Sequence, residues 1–227
     1  MKRFWQDAAV AADGVVHLDG RPVRTPGRQP LALPTAALAA AVAQEWRDVG
    51  ETVDPRAMPL TGLANAAIDR VAPDPGAFAA GLAVYGESDL LYYRAESPAE
   101  LIAREEAAWD PLLDWARDRY DIHFEPVSGI IHRPQPAATL ARLADAVASR
   151  SAFALVALQP IVTISGTLIG TLALAEGAVD ADGLWHAATV DERWQAEQWG
   201  EDPLEADARA ARRRDFDAAA RFLRLLD

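Results

Sequence analysis

Between Ser151 and Ala175 the chain carries no charged residue. A run of that length either crosses a bilayer, for which about 20 apolar residues suffice, or lies inside a protein core. Pro160 divides it, several Ser and Thr dilute it, and no basic cluster marks a cytoplasmic flank. The expectation is therefore a buried helical hairpin, Phe153 to Gln159 and Ile161 to Ala175, rather than a membrane anchor. Gly166 and Gly170 form a G-x-x-x-G pair that can seat close helix packing. A core of that size needs other elements to cover it, which the patterning elsewhere supplies.

Residues 1 to 33 read as β-rich. Short alternating runs, Val15 to His17 and Val23 to Thr25, are broken by Asp19-Gly20 and Pro26-Gly27, and Asp-Gly between apolar runs signals a hairpin. Thr35 is placed to cap a helix carrying Leu38, Val42, Glu45 and Trp46 at helical spacing, ending at Gly50. A second helix is expected from about Leu60 to Val71. "APDPG" then marks a boundary, giving domains 1–73 and 74–227. Beyond it helices dominate: Phe78 to Tyr85, Pro98 to Arg119 with a kink at Pro111, Ala137 to Ala148, the uncharged hairpin, Ala181 to Trp199 and Pro203 to Leu226. "IHFEPVSGIIHRPQP" connects two of them with some strand character.

Composition narrows the function. With 22 Lys+Arg against 34 Asp+Glu, the net charge is −12. Such a chain is a poor ligand for nucleic acid or anionic lipid, which need a basic field. There is no cysteine, so disulfides, thiolate metal sites and a cysteine nucleophile are excluded. No Walker A pattern, no G-x-G-x-x-G after a strand and no G-x-S-x-G elbow occurs. His17, His123, His132 and His186 are dispersed and form no metal-ligand spacing. No cofactor and no metal is expected. His186 reads as packing or capping within its helix, and Ser165 as a small residue easing helix contact.

"DERWQAEQWGED", residues 191 to 202, stands out. Read as one continuous helix, Trp185, Ala188, Glu192, Gln195 and Trp199 share a stripe with Glu192 between two tryptophans, and Trp194, Glu197 and Glu201 share another. Asp191 points about 100° from Glu192, so the two are no general acid–base pair. A carboxylate on a tryptophan-lined stripe must be hydrogen-bonded, paired or uncharged. Two readings stand side by side: an internal pair with an arginine such as Arg94 or Arg104, or a carboxylate facing a protein partner beside aromatic anchors.

Several segments in order resemble one family: "RFW" (3–5), "LDGRPVRTP" (18–26), "AAVAQEW" (40–46), "MPLTGLANAAIDRV" (58–71), "SDLLYYRAE" (88–96), "WDPLLDWA" (109–116) and "DERWQAEQWGED" itself. Together they are similar to the ATP synthase assembly chaperones that bind the free alpha subunit of the F-type catalytic head. The resemblance implies an α+β fold, a small N-terminal α/β domain with β-hairpins followed by a C-terminal orthogonal helical bundle, without catalysis or cofactor. It implies that the chain covers the alpha subunit's exposed surface until the beta subunit replaces it. A holding chaperone needs a free face, so a monomer is expected; the N-terminal apolar run is too short for a signal peptide, so the bacterial cytoplasm is expected, whereas the family's eukaryotic relatives work in the mitochondrial matrix. The family's functional acidic position carries over to Glu192, with Glu201 as fallback, within a partner-binding set of Glu192, Trp194, Gln195, Trp199, Glu201 and Asp202. Trp46 is expected to be a structural anchor. Two rivals remain: a small-molecule enzyme with an interdomain site using Glu192 and a histidine, and an inner-membrane protein anchored by residues 151–175.

Overall fold

The computed structural model describes residues 2–129 and 131–227. Contacts gather the chain into two compact units, one comprising the residues up to Pro75 with 151–157 and 218–227, the other 76–150 with 158–217. The fold mixes small sheets with a majority of helix, in the α+β class.

In the first unit, β1 (Ala8–Val10), β2 (Val16–Leu18) and β3 (Arg21–Pro22) form an antiparallel sheet in that order, with Ala8 opposite Leu18 and His17 opposite Pro22. Asp19 and Gly20 turn the chain with φ of 48° and 77°, the positive pair a two-residue hairpin demands. The Asp19 carboxylate accepts the N–H groups of Gln6 and Asp7 at 3.1 and 2.9 Å, tying the turn to the start of the chain. At the Pro26-Gly27 turn the positive φ belongs to Arg28, not to the glycine.

Helix α1 (Ala36–Asp48) starts as expected: the Thr35 hydroxyl accepts from Leu38 N at 3.1 Å, and Leu38, Val42 and Trp46 are buried. It ends at Asp48, before Gly50. Trp46 is 9% exposed and meets Trp5 edge-on at 5.3 Å, while Trp5 Nε1 donates to the Trp46 carbonyl at 3.1 Å. Its neighbour Glu45 accepts from Leu60 N, Thr61 N and Thr61 Oγ1 at 2.7 to 2.8 Å. These bonds cap α2 (Pro59–Ala66), whose own cap position, Met58, has no side-chain oxygen. The last turn, Ala67–Val71, widens to a π turn and delivers Asp69 to Thr25 Oγ1 at 2.6 Å and Gly27 N at 2.7 Å.

The second unit holds α3 (Pro75–Ala83), α4 (Ala99–Tyr120), α5 (Ala137–Ala148), α6 (Ala152–Ser165), α7 (Leu168–Ala175), α8 (Ala181–Ala188), α9 (Val190–Trp199) and α10 (Pro203–Arg224), of which α3 and α6 start and α10 ends in the first unit. A parallel pair, β4 (Tyr93–Arg94) and β5 (Val127–Ser128), joins two connectors. Helix α4 is the hub, packing on α7, α8 and α9. Its Trp109 is 1% exposed and donates from Nε1 to the Ala187 carbonyl at 2.7 Å.

The helix expected at Phe78 to Tyr85 runs instead from Pro75 to Ala83, and two helix breaks differ more deeply from the sequence expectation. Pro160 does not divide the uncharged run; α6 continues to Ser165, and the break falls at Gly166, whose φ is +70°, and Thr167. Proline forfeits one hydrogen bond, whereas starting a helix leaves four N–H groups to satisfy, and the caps lie at the later point. Thr167 Oγ1 accepts from Gly170 N at 2.9 Å, and the fully buried Asp89 accepts from Ile169 N at 2.9 Å and Leu91 N at 3.0 Å. Burial pushes the Asp89 carboxyl up to about 6 in spite of those bonds. Gly166 and Gly170 therefore do not share a helix face. Gly170 alone is the close-packing residue: a Cβ there would collide with Leu184 of α8. The second difference is Thr189, which separates α8 from α9; its hydroxyl donates to the Trp185 carbonyl at 2.8 Å, the local bond that competes with helix continuation. Among the described residues no helix is long and apolar enough to cross a membrane.

Candidate functional site

The break at Thr189 resets the helical phase, so the continuous stripe from Trp185 to Trp199 does not exist. Trp185 belongs to α8, where it packs on Phe216 of α10 at 5.5 Å with the Arg213 guanidinium 5.3 Å from its ring. Within α9, Val190 and Trp194 are buried, and Trp194 lies beneath the Arg104 guanidinium at 4.7 Å. Asp191 turns inward, and most of the remaining positions face outward in two directions.

On one side, α9 and the start of α10 enclose an open groove of about 380 Å³. Glu192, Gln195, Trp199 and Glu201 line it, four of the six residues singled out by sequence, together with Glu205, Arg209 and Arg212. Asp202 lies outside the lining and caps α10, accepting from Leu204 N at 2.8 Å. Trp194 faces the α4 interface, so it supports the groove rather than forming its wall. Trp199 is 78% exposed, and an aromatic of that size left open beside a groove needs a reason.

The groove's charge is balanced from α10. Both Glu192 oxygens accept from Arg212 Nη2, at 2.8 and 2.7 Å, with each side chain nearly half exposed. Arg209 pairs with Glu201, and Arg213 with Asp182 and Asp217. The internal partner of Glu192 is thus Arg212, neither Arg94 nor Arg104: Arg94 binds Asp110 at 2.5 Å, and Arg104 binds Glu197 at 2.6 Å. The sequence reading missed the arginines of "ARAARRR"; the spacing of Arg209, Arg212 and Arg213 over one helical turn was the available signal.

Asp191 turns inward, where it faces Glu105 of α4. Glu105 is 2% exposed and accepts from Ala95 N at 2.8 Å. Burial, reinforced by the facing Asp191, pushes its carboxyl up to about 6 against the pull of the Ala95 bond and Arg94. Asp191 Oδ1 is buried with no donor among the described residues. The histidines do not converge: His186 contacts Arg193, His17 the Gly20 carbonyl, and His132 the Tyr93 hydroxyl. Among the described residues no group of three or more His, Cys, Asp or Glu is placed to hold a metal ion.

Comparison with known proteins agrees with this architecture. The family model described as ATP12 chaperone protein matches residues 2–117, a stretch that ends before the groove. Whole-chain similarity comes from solved structures. Atp12 from Paracoccus denitrificans is 44% identical, with 100% of this chain and 98% of that chain covered and a TM-score of 0.93. An aspartate-to-lysine variant of P. denitrificans Atp12p superposes with a TM-score of 0.94 at the same identity and coverage. A candidate chaperone from Agrobacterium tumefaciens is 40% identical, with 100% of this chain and 86% of that chain covered and a TM-score of 0.93. Fold and relatives together define the class as a chaperone. Within that class, the chain belongs to the ATP12 chaperone family.

Proposed function

We propose that this chain holds the unassembled alpha subunit of the F-type ATP synthase head, shielding the surface meant for the beta subunit until beta replaces it. The observation that carries this reading is the α9–α10 groove, which the exposed Trp199 lines together with Glu192, Glu201 and Glu205. Aromatic anchors ringed by charge are the usual make-up of a protein-binding patch. The carboxylates are held by arginines in half-exposed pairs, which are worth little each. A basic client side chain can therefore take a carboxylate from Arg212 or Arg209 at small cost. Release needs only that beta compete more favourably for the same alpha surface, so mass action suffices and no chemical step is required. We further propose that the chain acts as a monomer in the bacterial cytoplasm, and that 1–73 and 74–227 are its functional domains.

The test is co-purification of the tagged chain with separately expressed alpha subunit from the same organism, wild type beside Glu192→Lys and Trp199→Ala. Capture by the wild type, lost in both variants at unchanged melting temperature, supports function and groove together. Capture by all three keeps the function and moves the contact elsewhere. No capture by the wild type would falsify the alpha-subunit reading.

A further inference from the structure

Helix α9 has a second outward side, away from the acidic groove. There α4, α8 and α9 surround a separate cavity of about 360 Å³. Ala107, Ala108 and Val190 give it an apolar lining, and Arg104, Arg193 and His186 a polar one. Among the described residues no carboxylate lines it. Arg104 is already compensated by Glu197. Arg193 has no ion pair among the described residues; its recorded bond runs from Nη1 to His186 Nδ1. His186 is held low by burial and by the neighbouring Arg193 charge, so at neutral pH it accepts that bond without adding a charge. The polar lining therefore carries the net positive charge of Arg193 beside an apolar hollow, in a chain whose overall charge is −12.

An uncompensated guanidinium beside a hollow lined by Ala107, Ala108 and Val190 selects for two features at once: an apolar side chain that fills the hollow and a carboxylate next to it. In a chain of net charge −12, a guanidinium left without a carboxylate beside an apolar hollow offers charge complementarity to an acidic group. We propose that this cavity is a second docking pocket for the client polypeptide, taking a large apolar side chain whose neighbouring residue is acidic. The inference rests on the client-holding reading above. It adds that the two sides of α9 read opposite charges: basic client groups at the Glu192 groove, an acidic one at Arg193. A client seated in both would grip α9 from either side, and the two contacts would strengthen one another through their linkage.

The test uses the full chain and needs no client to be known. The capped peptides Ser-Gly-Phe-Glu-Gly-Ser and Ser-Gly-Phe-Lys-Gly-Ser are titrated while the methyl NMR signals of Ala107, Ala108 and Val190 are followed. The expected result is shifts at those methyls, with the Glu peptide binding about tenfold tighter than the Lys peptide, and that preference abolished by Arg193→Glu. Ala107→Trp, at an exposed helix position, fills the hollow and is expected to remove binding of both peptides while the remaining spectrum is kept. Equal binding of the two peptides, shifts confined to other methyls, or occupancy by dodecanoate but by neither peptide would each overturn the proposal. Peptide binding here alongside failed alpha capture would leave the pocket standing and sink only the client assignment. Alpha capture with no peptide preference would do the reverse.

Discussion

Residues 151–175 and residues 191–202 are both helical, and they fold under opposite rules. In the uncharged run Leu155 to Leu158, Ile161, Val162 and Leu168 to Ala173 are all buried, the Thr167 hydroxyl caps α7, and the Thr163 and Thr171 hydroxyls donate to carbonyls of their own helices. In the acidic stretch only Trp194 is buried as a whole residue; Asp191 turns inward toward Glu105, and most of the other side chains reach water or half-open arginine pairs. The first region defines the architecture because almost every atom has one acceptable place. The second leaves most of its side chains at the surface, where the proposed function needs them. On that proposal, stability and recognition are carried by different segments of the chain.

The sharpest way to break that contrast is in the core. Leu158 is fully buried, so Leu158→Ala is expected to cost about 2–5 kcal/mol, read as a lowered urea midpoint at unchanged slope. Next comes Gly170→Leu, which forces a side chain into Leu184 of α8; overpacking of this kind costs about 1–3 kcal/mol, and a melting temperature equal to wild type would show that α7 and α8 can part.

A smaller effect, of opposite sign, is expected at Glu105. Its folded pKa of about 6 lies above the ordinary 4.5, so the folded chain holds this proton more tightly than the unfolded chain, and stability falls as pH rises from about 4.5 to about 6. Glu105→Gln removes that loss and the repulsion with Asp191. The variant should gain about 1–2 kcal/mol over wild type above pH 6 and nothing below pH 4, measured by denaturant unfolding across pH. A slope remaining in the variant is assigned to Asp89, which is raised in the same direction. Last is Trp199→Ala, 78% exposed, where stability should move by less than about 0.5 kcal/mol while alpha capture is lost. A large destabilisation there would collapse the distinction between the two regions.

Sequence showed the parts that depend on neighbours along the chain. Thr35 could be read as a cap because its acceptor role is played three residues later, and Asp19-Gly20 as a hairpin because both positive φ values fall on residues that tolerate them. The end of α6 could not be read, because the carboxylate helping to start α7 is Asp89, 80 residues upstream of its donor Ile169. The helix ending at Thr189 was equally hidden, since periodicity assumes an unbroken phase and one hydroxyl bond resets it. For the site, the acidic stretch was visible as composition, and four of its six chosen residues do share one groove. What was hidden was the partner set, because Arg209 and Arg212 reach it through a turn at Gly200 (φ +85°) that spacing rules do not cross.

The Asp89–Ile169 bond also bears on the order of folding. Bringing together groups 80 residues apart means closing a long loop before any enthalpy is returned, the kind of contact that slows a folding reaction. While Ile169 is still being synthesised, Asp89 is a hydrated, ionised side chain and α7 has no complete start. The helix most deeply enclosed in the finished molecule is accordingly one of the last whose beginning can be fixed, and until then its uncharged residues remain exposed to the aggregation that a chaperone is there to prevent in others.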